Sequence, residues 1–280
     1  MKTGTSERPD LPVAVVIGGG GMGMSTARRL GQHCRVVLAS LSAEKNPQRE
    51  AALREDGIDA VAVQCDITDA GSVAELARFV SGRGRLRTLA HVAALSPTMG
   101  DWRTLLKVNL VGVVLIERAM LELAGQGTAA VFVSSLAAHR AQAPSADVLE
   151  LMDDPLAPDF FDRIEALVPE HTSIAAYGLS KAAMNRMCRR RAAAWGRRGG
   201  RIVSMSPGLI ATPMGAQEFQ GPNREHKLGI LARTPVGREG TMVETADAIE
   251  FLASDRASYI TGTDLLVDGG SAAAALFPDG

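Results

Sequence analysis

A chain of 280 residues, 46% hydrophobic and 22% charged, is long enough to bury one or two cores and too apolar to be disordered as a whole. Thirty basic residues against thirty-one acidic ones leave a net charge of −1, so a nucleic-acid partner is not expected. Cys34, Cys65 and Cys188 stand far apart and outside any CxxC spacing, which argues against a disulfide framework or a zinc site and for a reducing, cytoplasmic setting. The polar start lacks a signal-peptide pattern and no apolar run approaches the ~18 residues of a membrane span, so no membrane partner is expected either.

After a polar tail over residues 1–10, the β-branched run Val13 to Ile17 predicts a buried strand, and the glycines from Gly18 to Gly23 interrupt it before a helix over Met24 to His33. Further strands are predicted at Arg35 to Ala39, Ala60 to Gln64, Thr88 to Val92, Thr128 to Val133, Arg201 to Met205 and Asp264 to Val267. Helical patterns lie between them at Glu44 to Asp56, Ser72 to Val80, Leu105 to Leu123, Ala175 to about Trp195 and Met242 to Ala253. Seven short apolar strands alternating with helices define one α/β, doubly wound, Rossmann-type domain over residues 11–270, a seven-stranded parallel sheet with helices on both faces. Residues 271–280 are expected to be a C-terminal tail.

One stretch breaks the alternation. Residues 139–172 carry four prolines and eight acidic residues against two arginines. Leu149 to Met152 and Phe160 to Ile164 can form short helices within this insert, which reads as a surface excursion, a substrate lid or a subunit contact. The helix after Lys181 is basic (Arg186, Arg189, Arg190, Arg191, Arg197, Arg198), and charge alone predicts that the acidic insert pairs with it in a neighbouring subunit. Met214, Phe219, Leu228, Ile230 and Leu231, within Leu209 to Thr234, suggest core packing or a hydrophobic substrate. The five histidines show no paired ligand spacing, and no metal site is expected.

Gly18, Gly20 and Gly23, with Gly21 and Met22 between them, form a G-x-G-x-x-G turn from strand to helix, where a glycine backbone can approach a pyrophosphate at the helix N-terminus. The second strand runs out at Ser40 without the acidic residue that binds an adenosine ribose, which favours NADP(H) over NAD(H), with Lys45 and Arg49 as candidate phosphate partners. Two tyrosines and five lysines would produce Tyr-x-x-x-Lys by chance only ~0.04 times, yet the spacing occurs at Tyr177 and Lys181. One helical turn puts phenol and ammonium on one face, where a fixed cation would favour phenolate. Bringing a phenol from ~10 to near 7 requires roughly 4 kcal/mol, shared between lysine and a nicotinamide charge. Such a group can donate a proton to a carbonyl oxygen and accept one in reverse.

Tyr177-x-x-x-Lys181, Ser134-Ser135 at a strand end, Val108-Asn109, Pro207-Gly208 with Thr212, and Asp268-Gly269-Gly270 together resemble the short-chain dehydrogenase/reductase family, from about Leu11 to Gly270. The run Arg191 to Gly196 and the insert resemble its bacterial 3-alpha-hydroxysteroid dehydrogenase/carbonyl reductase branch. The resemblance implies Tyr177 as acid/base, Ser135 orienting the substrate oxygen, Lys181 on the nicotinamide ribose and Asn109 holding a water in a proton relay. It places Asp66, Ile67 and Ala93 near the adenosine half, Pro207, Gly208, Ile210 and Thr212 near the nicotinamide, and a mobile cover for a carbonyl or alcohol substrate over Leu209 to Thr234. It further implies a homodimer or homotetramer acting on a small-molecule alcohol or ketone, a steroid or other apolar carbonyl compound. Two departures stand out. The family's Thr-Gly-x-x-x-Gly-x-Gly is here Val16 to Gly23 without the threonine, and its Asn-Asn-Ala-Gly is His91-Val92-Ala93-Ala94. That threonine and an asparagine bond to each other in the family, so losing both avoids leaving one unpaired. These departures motivate the alternative of a non-catalytic, dinucleotide-responsive binding or regulatory protein on the same fold. A sugar-nucleotide epimerase of the longer type is disfavoured by the short part after Gly208.

Overall fold

The computed structural model describes residues 11–140, 144–212, 215–216 and 224–277. The tail at 1–10 and the cover residues Met214 and Phe219 lie outside these residues. Seven strands, β1 (Val13–Ile17), β2 (Arg35–Ser40), β3 (Ala60–Gln64), β4 (Leu86–His91), β5 (Ala129–Val133), β6 (Arg201–Pro207) and β9 (Asp264–Val267), form one parallel sheet in the order β3-β2-β1-β4-β5-β6-β9. β1 and β5 are buried along their whole length, as their unbroken apolar runs require in a sheet covered on both faces. The chain reverses direction of winding between β1 and β4, so the crevice at the strands' carboxyl ends opens there. A pair of two-residue strands, β7 (Ile210–Ala211) and β8 (Gly240–Thr241), sits beyond β6.

The helices are α1 (Gly21–Leu30), α2 (Asn46–Glu55), α3 (Ala70–Ser81), α4 (Trp102–Leu106), α5 (Gly112–Leu123), α6 (Ala137–Arg140), α7 (Ala146–Met152), α8 (Phe160–Leu167), α9 (Ser173–Arg197), α10 (Arg224–Arg233), α11 (Met242–Ala253) and α12 (Ser271–Leu276). Side chains alternate across the strands into two apolar layers. Val15, Leu89, Phe132 and Ile202 pack with Ile116, Met120 and Met184 on one face, and Val16, Leu38, Val131 and Val203 with Ala27, Leu30, Ile249 and Leu252 on the other. Polar ends start the helices where the pattern begins: Asp69 caps α3 through Ser72 N, and Thr241 with Glu244 forms a reciprocal capping box on α11.

Three local features differ from the sequence pattern. The continuous helix expected over Leu105 to Leu123 is interrupted by a π turn over Lys107–Val111, the place where Asn109 turns inward. Residues beyond 270, expected as a tail, are helical over Ser271–Leu276, with Ser271 buried. The insert is a packed layer: Val148, Leu151, Met152, Phe160 and Ile164 bury themselves against Trp102, Leu105, Leu106, Leu110 and Val114, forming a third apolar cluster.

Its acidic residues pair within the same chain. Asp153 accepts from Arg186 at 2.7 Å and lies 3.1 Å from Arg190, and Arg103 meets Glu165 at 2.5 Å. Two arginines of the basic α9, Arg186 and Arg190, are thus matched by the insert's Asp153, while Arg191 and the capping Arg198 pair with Glu117 and Glu122 of α5. The outer edge of β3 is closed by α2: Glu50 accepts from Ala62 N at 2.8 Å, Arg54 donates to Ala60 O at 2.9 Å, and the two side chains pair with each other.

Candidate active site

The glycine turn shows why the first helix needs those residues. Gly18 holds φ +112, and a Cβ there would lie 2.8 Å from Ala93 N, so a small residue faces it across the crevice. A Cβ on Gly23 would sit 1.8 Å from Gly18 O, so α1 can pack onto the end of β1 only through glycine. Gly20 has open space around it, and α1 starts at Gly21 with no side chain capping its N-terminus. An open, uncapped helix start beside a strand end fits a pyrophosphate.

Ser40, at the end of β2, is nearly buried, and it is tied to the base of α2. Its hydroxyl donates to Asn46 Oδ1 at 2.7 Å, and Arg49 Nη1 donates to Ser40 Oγ at 2.7 Å and to Asn46 Oδ1 at 3.2 Å. The same guanidinium lies over Gly19, whose Cβ would be 2.7 Å from Arg49 Cζ. Asn46 is a member of this cluster that composition did not single out; its signal is an Asn-Pro start to α2 directly behind Ser40. Asp66 accepts from the backbone N and hydroxyl of Thr68, both at 2.8 Å, which fixes its carboxylate at the end of the third strand, while Ile67 is buried against Gly112.

At the other end of the crevice, β5 delivers Ser134 and Ser135. Ser134 is buried and donates to Lys181 O at 3.1 Å, whereas Ser135 Oγ accepts from Ala137 N at 3.1 Å and stands near the Tyr177 phenol, where it opposes the effect of burial on that group. Lys181 is 1% exposed, donates from Nζ to Val133 O at 2.9 Å, and stands 5.7 Å from the Tyr177 ring centroid. Tyr177 and Lys181 thus share one face of α9, as the spacing predicts. Asn109 closes a two-way bond with the Leu95 backbone, accepting from its N at 2.8 Å and donating to its O at 2.9 Å, so its amide fixes the loop after β4. Pro207 O accepts from Leu136 N at 2.9 Å, Gly208 packs on Asp268, and Thr212 Oγ1 accepts from Gly215 N at 2.9 Å. Leu209, Ile210, Val236 and Leu266 line an adjoining cavity of about 320 Å³.

The electrostatics correct one expectation. Burial pushes the Tyr177 phenol up from its ordinary value, with Ser135 opposing it, and burial brings Lys181 down to about 7. In the protein alone the ammonium is itself too costly to bury to act as a full fixed cation. The His91 exchange also differs from expectation. Its ring is fully buried, stacked on Phe132 at 5.5 Å, and neither nitrogen has a hydrogen-bond partner among the described residues. Burial and the nearby Lys181 bring it to about 3, so it stays neutral.

The crevice gathers an open glycine turn at the start of α1, a Ser40–Asn46–Arg49 cluster and a Ser135–Tyr177–Lys181 set. Residues 12–146 match the family model described as short chain dehydrogenase, and residues 164–272 the one described as Enoyl-(Acyl carrier protein) reductase. The chain is 32% identical to the short-chain dehydrogenase/reductase bsc3 of Alternaria brassicicola, over 92% of this chain and 95% of that one. It is 30% identical to the cis-4-hydroxycyclohexanecarboxylate dehydrogenase of Sinomonas cyclohexanicum, with the same shares covered. Its fold resembles that of a variant of the actinorhodin polyketide ketoreductase solved with NADPH, with a TM-score of 0.74 at 23% identity over 94% of this chain and 98% of that one. The chain belongs to the short-chain dehydrogenase/reductase family. It is an NAD(P)-dependent oxidoreductase acting on CH–OH groups.

The buried lysine makes stability pH-dependent. Between about 7 and 10.5, the ordinary lysine value, the unfolded chain binds a proton that the folded one releases, so the burden on folding lifts as pH rises. Lys181→Met should therefore be more stable than wild type at about pH 6, with the gap closing towards about pH 10. Urea unfolding of the cofactor-free proteins across that range checks this, and a gap that widens with pH would contradict it.

Proposed function

We propose that this enzyme interconverts a secondary alcohol and a ketone on an apolar, ring-bearing substrate, a steroid or a similar alicyclic compound, with NADP(H). The observation that carries the chemistry is Tyr177 and the buried Lys181 on one face of α9, with Ser135 at the end of β5 near the phenol. The hydride is supplied or taken up by the nicotinamide when bound. Ser135 holds the substrate oxygen, Tyr177 Oη gives it a proton or takes one back, and Lys181 binds the nicotinamide ribose and compensates the phenolate. Asn109 holds the water of the proton relay at the π turn, its side-chain amide fixing the Leu95 backbone. The glycine turn, Ser40, Asp66, Ile67 and Ala93 bind the adenosine diphosphate half, and Pro207, Gly208, Ile210 and Thr212 the nicotinamide half.

Arg49 supports the choice of NADP(H). Its guanidinium bridges Gly19 and Ser40, where a 2′-phosphate meets a cation and no carboxylate closes β2. The ring-bearing alcohol in a relative's name supports an alicyclic substrate. A homodimer or homotetramer is supported by β9, an edge strand with Leu265 and Leu266 more than a third exposed and no clasp like that on β3 among the described residues. A reducing, cytoplasmic setting fits three buried, unpaired cysteines.

Purified protein titrated with all four nicotinamide cofactors, then screened against cyclic ketones and alcohols, tests the reading. Turnover should appear, and Tyr177→Phe should lower it by about 10²–10⁴-fold with cofactor binding retained. Dinucleotide binding without turnover of any compound would favour the non-catalytic alternative. Arg49→Gln removes a charge-assisted bond of about 1.5–3 kcal/mol, so KM for NADPH should rise roughly 10- to 100-fold. KM for NADH should move little, and an equal rise for both would remove the case for a 2′-phosphate site. Sedimentation equilibrium should show a dimer or tetramer, and a monomer would overturn the assembly proposed.

A further inference from the structure

The loop that carries Ser135 is anchored at its far end by a polar cluster. α6 begins two residues after Ser135, and Ala137 N, at its first turn, donates to Ser135 Oγ at 3.1 Å. With that lone pair engaged, the serine's own O–H is free to point at Tyr177 and a substrate oxygen. The orientation holds only while Ala137 stays in place. A helix of four residues, Ala137–Arg140, cannot hold itself, since it closes scarcely one turn.

Two side chains at its end supply what the helix lacks. His139 Nε2 lies 2.7 Å from Asp264 Oδ2 in β9 and 3.3 Å from Ser206 Oγ in β6, and Ser206 donates to Asp264 Oδ1 at 3.0 Å. The Asp264 side chain is only 2% exposed, so its carboxylate needs both partners, and His139 is the one that comes from outside the sheet. Arg140 Nη2 adds a bond to Ser271 Oγ at 2.9 Å, the first residue of α12. Leu136 N binds Pro207 O between the two ends.

We propose that His139 is a positioning residue for Ser135: through Asp264 and Ser206 it clamps α6 onto β6 and β9, and the clamped Ala137 N–H sets the serine hydroxyl for proton donation. This rests on Ser135 being the residue that orients the substrate oxygen, as proposed above. The clamp also joins the serine loop to the strand that ends in Pro207, so the substrate oxygen and the nicotinamide-side loop are held on one rigid piece.

The test is a double-mutant cycle on the full chain with a substrate identified by the screen. His139→Ala should lower kcat about tenfold while the dissociation constant for NADPH, read by its fluorescence, and KM stay within about twofold. His139→Gln, whose amide can still donate to Asp264, should recover most of that loss. In a Ser135→Ala background, His139→Ala should add nothing further. His139→Asn, too short to reach Asp264, is measured in parallel and stands in should the alanine variant fail to fold. Wild-type kcat in the Ala and Asn variants, losses that multiply with Ser135→Ala, or a Gln variant no better than Ala would each overturn the proposal. Wild-type turnover in Ser135→Ala alone would instead remove the role of Ser135 itself, a result the single His139 variants cannot produce.

Discussion

Two hydrogen bonds running in opposite directions lock the end of β5 to the middle of α9: Lys181 Nζ donates to Val133 O, and Ser134 Oγ donates to Lys181 O. Both are buried, so neither can be exchanged for water without leaving a polar group stranded, and the cost of breaking them is high. Everything reactive hangs on this junction. Ser135 follows Ser134, Tyr177 precedes Lys181 by one turn, and the two residues come together because strand end and helix are held at one separation.

The cost appears in the protonation states. Burial favours the neutral forms of both Lys181 and Tyr177, moving them in opposite directions from their ordinary values. Burial keeps the phenol protonated and brings the lysine to about 7, between its ammonium and amine forms, so both groups are poised to exchange protons with a substrate and a ribose. Neither needs to carry an uncompensated charge in the interior. The neutral, fully buried His91 behind them belongs to the same dry environment.

The sheet was legible because its cause is local: β-branched runs bounded by glycine and polar turns can do little else. The tyrosine and lysine were legible because helical spacing alone puts them on one face. What stayed hidden depends on contacts between segments far apart in the chain. The π turn exists where Asn109 reaches Leu95, fourteen residues upstream, and no periodicity encodes that. Arg49 reads as a solvated helix residue until the α2 start is seen folded back on Ser40 and Gly19. The insert's charge is visible in the sequence, but only packing of α7 and α8 shows that Asp153 meets Arg186 of the same chain.

The two margins of the sheet are finished differently. Along β3 the ion pair of Glu50 and Arg54 occupies the outward amide of Ala62 and carbonyl of Ala60, two of the groups a foreign strand would have to recognise. A molecule with one blunted border cannot add copies end over end at both sides. Strand addition is disfavoured at that border, so β-mediated association through the opposite one would favour a closed, finite particle over a fibre.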